Sequence, residues 1–398
     1  MRRSGRGHVE YTMTKKICIL GLEDYPMLAG DGSGHIGGES VQHVLLARAW
    51  RDMGLEVSMV LHDLGQPRET VIDGIRGIAA FAPRAGVRIV RFVHPRITGV
   101  LRAMRTADAD VYYQSPAGAY TGVAAWFARR HRKRLVVRIA SDLNCVPGQQ
   151  LIRYRRDRKL YEYGLRNATL VAAQTERQRT LLREHYGIES AVINMAVERA
   201  EPTAPAARDI DVVWLGNLRP VKRPELLLEL ARRLPHRSFV MAGGSLPRLR
   251  GYFDELSRAA ARMANVRFLG PVTYADTGAL FGRARLHVNT SSAEGFPNTF
   301  LQAWARAVPV VSFFDPDLLI ERRGFGLRAT DVDDMAAAIE ALLVDPGRAA
   351  ALGAAARAYV LAEFAPRQVA QRYLDLLHAA QPRGWTAPAT TRIPVAKS

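Results

Sequence analysis

The stretch NTSSAEGFPNTFLQAWARAVPVVS, residues 289–312, decides the fold. It opens with a polar loop ending at Glu294, turns through Gly295-Phe296-Pro297 and predicts a short helix through Trp304. An apolar run, Pro309 to Ser312, then reads as a buried strand. Proline suits a first helical turn, where its missing N–H has no intrahelical partner anyway. The amides around Gly295, Phe296, Asn298 and Thr299 are therefore expected to stand free at a helix start, where unpaired N–H groups and the helix dipole both favour a phosphate. Glu294 does not fit that anion, since two negative groups repel. Its natural partner is a hydroxyl-bearing group or a developing cation. Gln302, eight positions on, lies about two helical turns further and carries an amide that both donates and accepts. Together the two side chains suit two polyol parts of one ligand with a diphosphate between them. Spacing alone serves equally an ordinary strand–loop–helix unit in which Glu294 caps the turn.

EGFPNTFLQAW resembles the signature of the retaining glycosyltransferases of family four, in which a second glutamate stands where this chain has Gln302. The resemblance implies the GT-B fold, an α/β architecture of two doubly wound Rossmann-like domains facing one another across a cleft.

Length and composition agree with that expectation. A chain of 398 residues is long for one core and suits two domains. The longest weakly apolar run, Ala117 to Ala128, falls short of the ~20 residues that span a bilayer. Met1 to Lys16 has charges but no apolar core typical of a signal peptide, so cytoplasmic residence is expected. Two cysteines, Cys18 and Cys145, suggest no disulfide framework. The net charge is +18, and 50 of the 56 basic residues are Arg, a bias that reflects genome composition as well as partners. Residues 1–200 hold 31 basic and 19 acidic side chains (+12), residues 201–398 hold 25 and 19 (+6). Two clusters stand out in the first half, Arg129 to Arg134 and Arg153 to Lys159. Such patches attract phosphates of nucleic acid or of an anionic membrane; each reads equally as a solvated helix end.

Residues 1–14 read as a disordered lead-in, with Met13 as an alternative start. KICILG, from Lys16 to Gly21, reads as a buried parallel strand. A glycine-rich loop, Asp31 to Glu39, follows, then a helix with Val41, Leu45, Ala49 and Met53 on one face, and a second strand, Glu56 to Leu61. This is the opening of a doubly wound unit, its loop at the carboxyl end of a strand, where such folds bind ligands. Gly37 and Gly38 let a phosphate or sugar approach the backbone, although G-x-G-x-x-G is absent in that register. GGESVQHVLLARAWRDMGLEV resembles the family's opening, and Gln42 falls where many members carry glutamine. Strands are expected at Val87 to Val93, Asp110 to Tyr113, Leu135 to Ile139 and Leu170 to Gln174, with helices from about Thr98, Gly118, Gln149 and Glu176. Ser141-Asp142 stands where relatives often have histidine and aspartate, the histidine touching the transferred sugar. The resemblance makes Gln42, Ser141 and Asp142 acceptor-side candidates.

ERAEPTAPAAR, within 198–209, reads as a linker between a first domain over 15–197 and a second over 210–365. The second begins with a strand from Asp211 to Leu215, a loop from Gly216 to Arg223, and a helix from Pro224 to Leu234. Lys222 is one of six lysines, and a cation at a helix start opposes the dipole unless it serves an anion. Lys222 and Arg219 suit a diphosphate, as a point charge and a planar fork. GNLRPVKRPELLLELA resembles the family's phosphate loop. Lys222 matches its lysine, while Asn217, after Gly216, stands where its arginine would be. A last helix, within 366–380, is expected to cross back onto the first domain, as in GT-B enzymes, and 381–398 to be disordered.

The resemblance implies metal-independent, retaining transfer of a sugar from a UDP- or GDP-sugar, with no further cofactor. The acceptor is a hydroxyl of a glycan or of a polyprenyl-phosphate-linked acceptor, in polysaccharide synthesis at the inner membrane surface. Glu294 then supports the donor sugar and its oxocarbenium-like transition state. Lys222, Arg219 and the amides of 295–299 hold the leaving diphosphate, with Pro297 in that turn, and Gln302 touches the ribose. Glycosidases, by contrast, use two carboxylates of their own. Rival readings are an epimerase or hydrolase of the same fold and a non-catalytic nucleotide-sugar binder. Nucleic acid is not an expected partner, because only Tyr154 interleaves the basic runs.

Overall fold

The computed structural model describes residues 14–30, 37–87, 89–201, 208–245 and 249–380. The expected lead-in, apart from Thr14, lies outside these, as do the tail 381–398, residues 31–36 of the glycine loop and 202–207 of the expected linker.

Two sheets are present. The first holds β1 (Lys16–Leu20), β2 (Glu56–Leu61), β3 (Glu69–Ile72), β4 (Ile75–Ala79), β5 (Val111–Gln114), β6 (Arg134–Arg138), β7 (Leu170–Ala173) and β8 (Ala191–Val192). Their order is β3-β4-β2-β1-β5-β6-β7-β8, parallel except for β3 against β4. The second holds β9 (Ile210–Leu215), β10 (Phe239–Ala242), β11 (Val266–Gly270), β12 (Ala284–Asn289), β13 (Val310–Ser312) and β14 (Gly326–Arg328), ordered β11-β10-β9-β12-β13-β14 and parallel throughout. In each sheet the chain goes one way from its first strand and later returns to that strand's other side. That leaves a crevice between β1 and β5, and another between β9 and β12. Ligands of doubly wound folds bind outside the carboxyl ends of the strands at such points.

Strand interiors such as Ile17, Cys18 and Ile19, or Val212 and Val213, are buried, as parallel sheets covered on both faces require. Both cysteines are free and buried. The helix Pro366–Ala379 seats Val369, Ala370, Tyr373, Leu374 and Leu377 in the same core as Val44, Leu45 and Trp50 of the helix Gly38–Asp52, and Trp50 Nε1 donates to the Ala370 carbonyl at 3.1 Å. Fully burying each Val or Leu there contributes about 1.5–3 kcal/mol, which fastens the end of the described chain to the first sheet.

The structure corrects the strand expected at Val87 to Val93. Its apolar side chains point outward, with Ile89 91% and Val87 69% exposed, and Phe92–Ile97 is a wide helical turn. The sheet edge that such a strand would have joined is occupied by the hairpin β3–β4, turned by Asp73 (φ 55°) and Gly74 (φ 71°). Asp-Gly between apolar runs is the signal of that turn. The helix expected from Gln149 begins at Arg155. Pro297 stands just before the helix Asn298–Trp304, at φ −69° and ψ 122°, rather than inside its first turn.

Candidate active site

The two crevices face each other across a cleft of about 820 Å³. On the second sheet's side, the loop after β9 carries Gly216, Asn217, Arg219 and Lys222, and the loop after β12 carries Glu294; all border the cleft. The loops are stitched together. Trp214 Nε1 donates to Thr290 Oγ1 at 2.9 Å, Arg223 Nε to the Thr290 carbonyl at 2.7 Å, and the Ser292 amide to the Val221 carbonyl at 2.9 Å. Glu294 is 9% exposed. Its Oε1 accepts from Ser291 Oγ at 2.6 Å and from Asn289 Nδ2 at 3.3 Å, and it pairs with the Lys222 ammonium. A buried carboxylate needs such partners to remain charged. Arg219 also borders the cleft, with a buried Nε that meets no acceptor. Behind this wall His287 is fully buried between the Phe281 and Phe300 rings and donates Nδ1–H to the Val213 carbonyl at 3.1 Å; burial pushes its pKa down to about 4.

The first sheet's side is made of the loop after β1, the start of the helix Gly38–Asp52, and the ends of β5 and β6. Asp24 accepts from His43 Nδ1 at 2.6 Å, both side chains being buried. Ser115 Oγ donates to Glu39, and Gln114 Nε2 to the Pro116 carbonyl at 2.6 Å. Arg138, Ala140 and Ser141 border the cleft along the end of β6.

The walls touch directly. A Cβ on Gly38 would collide with the Asn298 side chain, and one on Gly295 would come within 2.5 Å of the Ala140 carbonyl oxygen. Gln174 Oε1 accepts the Phe296 amide at 2.6 Å. Asp317 accepts the Glu176 amide at 3.0 Å on both oxygens, capping the helix Glu176–Tyr186 from the opposite side.

Residues 37–197 match the family described as glycosyl transferase 4-like domain, and residues 209–345 the family described as glycosyl transferases group 1. The protein is a glycosyltransferase of the group 1 type. It is 26% identical over 391 residues to the D-inositol 3-phosphate glycosyltransferase of Mycolicibacterium paratuberculosis, covering 88% of this chain and 87% of that one. Against its counterpart in Rhodococcus erythropolis it is 26% identical over 388 residues, 86% of each. Among solved structures it resembles sucrose-phosphate synthase of Thermosynechococcus elongatus, with TM-score 0.73 and 19% identity, over 92% of this chain and 100% of that chain. Anabaena HepE in complex with UDP and glucose gives TM-score 0.71 and 18% identity over the same shares. At these identities the likeness shows the fold: two Rossmann-like domains in the GT-B arrangement.

In this glycosyltransferase Lys222, Glu294, Gly216, Asn217, Arg219, Gly37, Gly38, Ser141 and the segment Gly295 to Thr299 all border the cleft. Three predicted residues do not. Gln42 donates to the Ala196 carbonyl and to Asn298 Oδ1, both at 2.8 Å, and accepts the Ala196 amide at 2.7 Å, so it braces the walls. Asp142 is held by Arg177 Nε at 3.0 Å and Gln178 Nε2 at 3.1 Å, and its pKa is raised, by burial above all. Gln302 is buried beside Tyr274. Of the four amides expected to stand free, that of Phe296 is taken by Gln174. Sequence reasoning missed Asp24, Glu39, His43, Arg138 and Gln174. For Arg138 a signal existed: it is the lone charge in LVVRIA, residues 135–140.

Proposed function

We propose that this glycosyltransferase moves a sugar, with retention and without a metal, from a UDP- or GDP-sugar to a hydroxyl of a glycan or polyprenyl-phosphate-linked acceptor in polysaccharide or cell-surface glycan synthesis. The observation that carries the reading is the Lys222–Glu294 pair at the cleft, next to the unpartnered Arg219 Nε. A donor diphosphate draws on Lys222 and Arg219, which stabilise the charge that develops as the sugar leaves. Glu294, freed to face the sugar, holds its hydroxyls and the cationic ring in the transition state. Gln302, buried beside Tyr274 with its Oε1 unpartnered, is not among the residues that border the cleft, and its ribose contact is part of the proposal. A lysine with a guanidinium supplies charge of the kind a metal would bring to the diphosphate. HepE has been solved with UDP-glucose, which favours UDP as the nucleotide to test first.

Peripheral attachment to an anionic membrane draws support from the cleft mouth. Ile89, Val90 and Val93 are exposed beside Leu151 and Tyr154, and Arg156 stacks on the Phe92 ring at 3.2 Å, joining this apolar tip to the second basic cluster. Pro83, Arg96 and Leu151 continue it into the cleft. No helix among the described residues is long and apolar enough to cross a membrane, and this surface offers an electrostatic and apolar route of attachment.

The test is thermal stabilisation by UDP, GDP, ADP and CMP. A ligand at about 100 times its Kd adds ~2.7 kcal/mol to the native state. One nucleoside diphosphate is expected to raise Tm and Lys222→Ala to abolish the shift. Failure of every nucleotide sinks the donor reading.

A further inference from the structure

We propose that Arg138 recognises an anionic group, a carboxylate or phosphate, borne by the acceptor. The inference rests on the glycosyl-transfer reading above and names the acceptor's class. Arg138 ends β6 and borders the cleft, yet it is only 3% exposed. Its buried Nη1 meets no acceptor, and the groups acting most strongly on the guanidinium are the neutral Tyr113 and Tyr373 hydroxyls rather than a paired carboxylate. Glu39 is the acidic group that acts on it, from a longer distance and while held by Ser115; Asp24, the next acid along this wall, is tied to His43. A guanidinium buried without a paired carboxylate is unfavourable unless an anion arrives to complete it. Two groups beside it on the cleft are also incomplete: His43 Nε2 and Gln114 Oε1 are buried without a partner, while the Tyr113 hydroxyl, behind the cleft wall, faces Arg138 and Tyr373. The first two suit the hydroxyls of a polar ligand, whereas Arg138 suits its charge, as a planar fork that matches carboxylate and phosphate alike. Arg96, also on the cleft with an unpartnered Nε, adds a second cation on the route in.

The experiment measures binding of D-glucuronate, glycerol 3-phosphate and, as a neutral control, glucose by calorimetry and thermal shift in Lys222→Ala protein, whose donor phosphate site is disabled. At least one anion is expected to bind and glucose more weakly. Adding Arg138→Gln should weaken that anion by about tenfold or more, the worth of a charge-assisted hydrogen bond, and Arg138→Lys should restore part of it. Glucuronate against glycerol 3-phosphate tells a carboxylate from a phosphate. Without ligand, Arg138→Gln should melt no lower than its parent, because it removes an unpaired buried charge. Equal anion binding with and without Arg138 overturns the proposal. So does a lower Tm in Arg138→Gln that Arg138→Lys restores without any change in anion binding, since that marks a structural residue. No readout here needs the donor, so failure of the nucleotide screen leaves this test intact.

Discussion

The two walls of the cleft differ in how their polar groups are satisfied. On the second sheet's side Glu294 accepts from Ser291, Asn289 and Lys222, and the loops carrying it and Lys222 are bonded to each other. On the first sheet's side His43, Gln114 and Arg138 each keep a buried atom without a partner. The second sheet's wall holds its carboxylate in place by its own bonds and leaves Arg219 Nε as its open cation, so it is preorganised around Glu294. A wall with unmet groups selects its ligand, because a molecule that leaves them unpaired is rejected far more strongly than one that merely fits loosely. Under the proposed function, donor activation and acceptor choice fall to different sheets.

The sharpest way to break this contrast is Glu294→Gln. Glutamine still accepts from Ser291 but loses the charge that pairs with Lys222, so kcat for transfer should fall about 10²–10³-fold while nucleoside diphosphate binding, followed by calorimetry, persists. Activity within tenfold of the parent would mean that the carboxylate only props the loop. Next in size is the pH dependence of His287 behind the same wall. Its folded pKa is about 4 against an ordinary 6.5, so the folded chain keeps it neutral. Above pH 6.5 both states are neutral there and stability is unaffected. As pH falls from 6.5 to 4 the unfolded chain takes a proton that the folded one refuses, removing up to about 3 kcal/mol. Denaturant unfolding across that window should show the loss, and His287→Asn should flatten it. Gly295→Ala tests how tightly the walls must meet. The new methyl faces the Ala140 carbonyl, which cannot yield as a side chain would. A penalty of about 1–3 kcal/mol in denaturant unfolding is expected, with transfer reduced in step; unchanged stability would show that the walls part freely.

The same contrast explains what was legible in the sequence. The donor wall comes from two contiguous segments, 216–223 and 289–299, each at the end of a strand whose apolar run is plain, so residue types and order sufficed. The acceptor wall gathers Asp24, His43, Gln114 and Arg138 from four places, and only the parallel order β2-β1-β5-β6 brings them together. Gln42 and Asp142 lie in the segments predicted, but their orientation is set by partners far along the chain: Ala196 is 154 residues from Gln42. The strand missed at β4 and the one wrongly expected at 87–93 have one cause. Apolar content marks burial only where a neighbour exists, and the hairpin turned at Asp73-Gly74 already fills that edge.

The smallest expected effect concerns the two basic clusters, which composition makes alike and structure separates. Arg129 to Arg134 precedes β6, at the end of the sheet away from the cleft. There Lys133 pairs with Asp108 at 2.9 Å, and Arg134 donates to Thr14 Oγ1 at 2.6 Å and to the Leu377 carbonyl at 3.3 Å. These are structural contacts. Arg153 and Arg155 are exposed beside the apolar tip at the cleft mouth. Each cation near an anionic bilayer contributes about 1 kcal/mol, so Arg153→Ala with Arg155→Ala should weaken binding to phosphatidylglycerol vesicles by ~30-fold, the equivalent of two such contributions. Arg129→Ala with Arg130→Ala, which removes equal charge from the far edge, should leave sedimentation with vesicles nearly unchanged. Equal losses from the two pairs would mean that net charge alone draws the protein to the surface. The cleft mouth would then have no preferred orientation toward a lipid-linked acceptor.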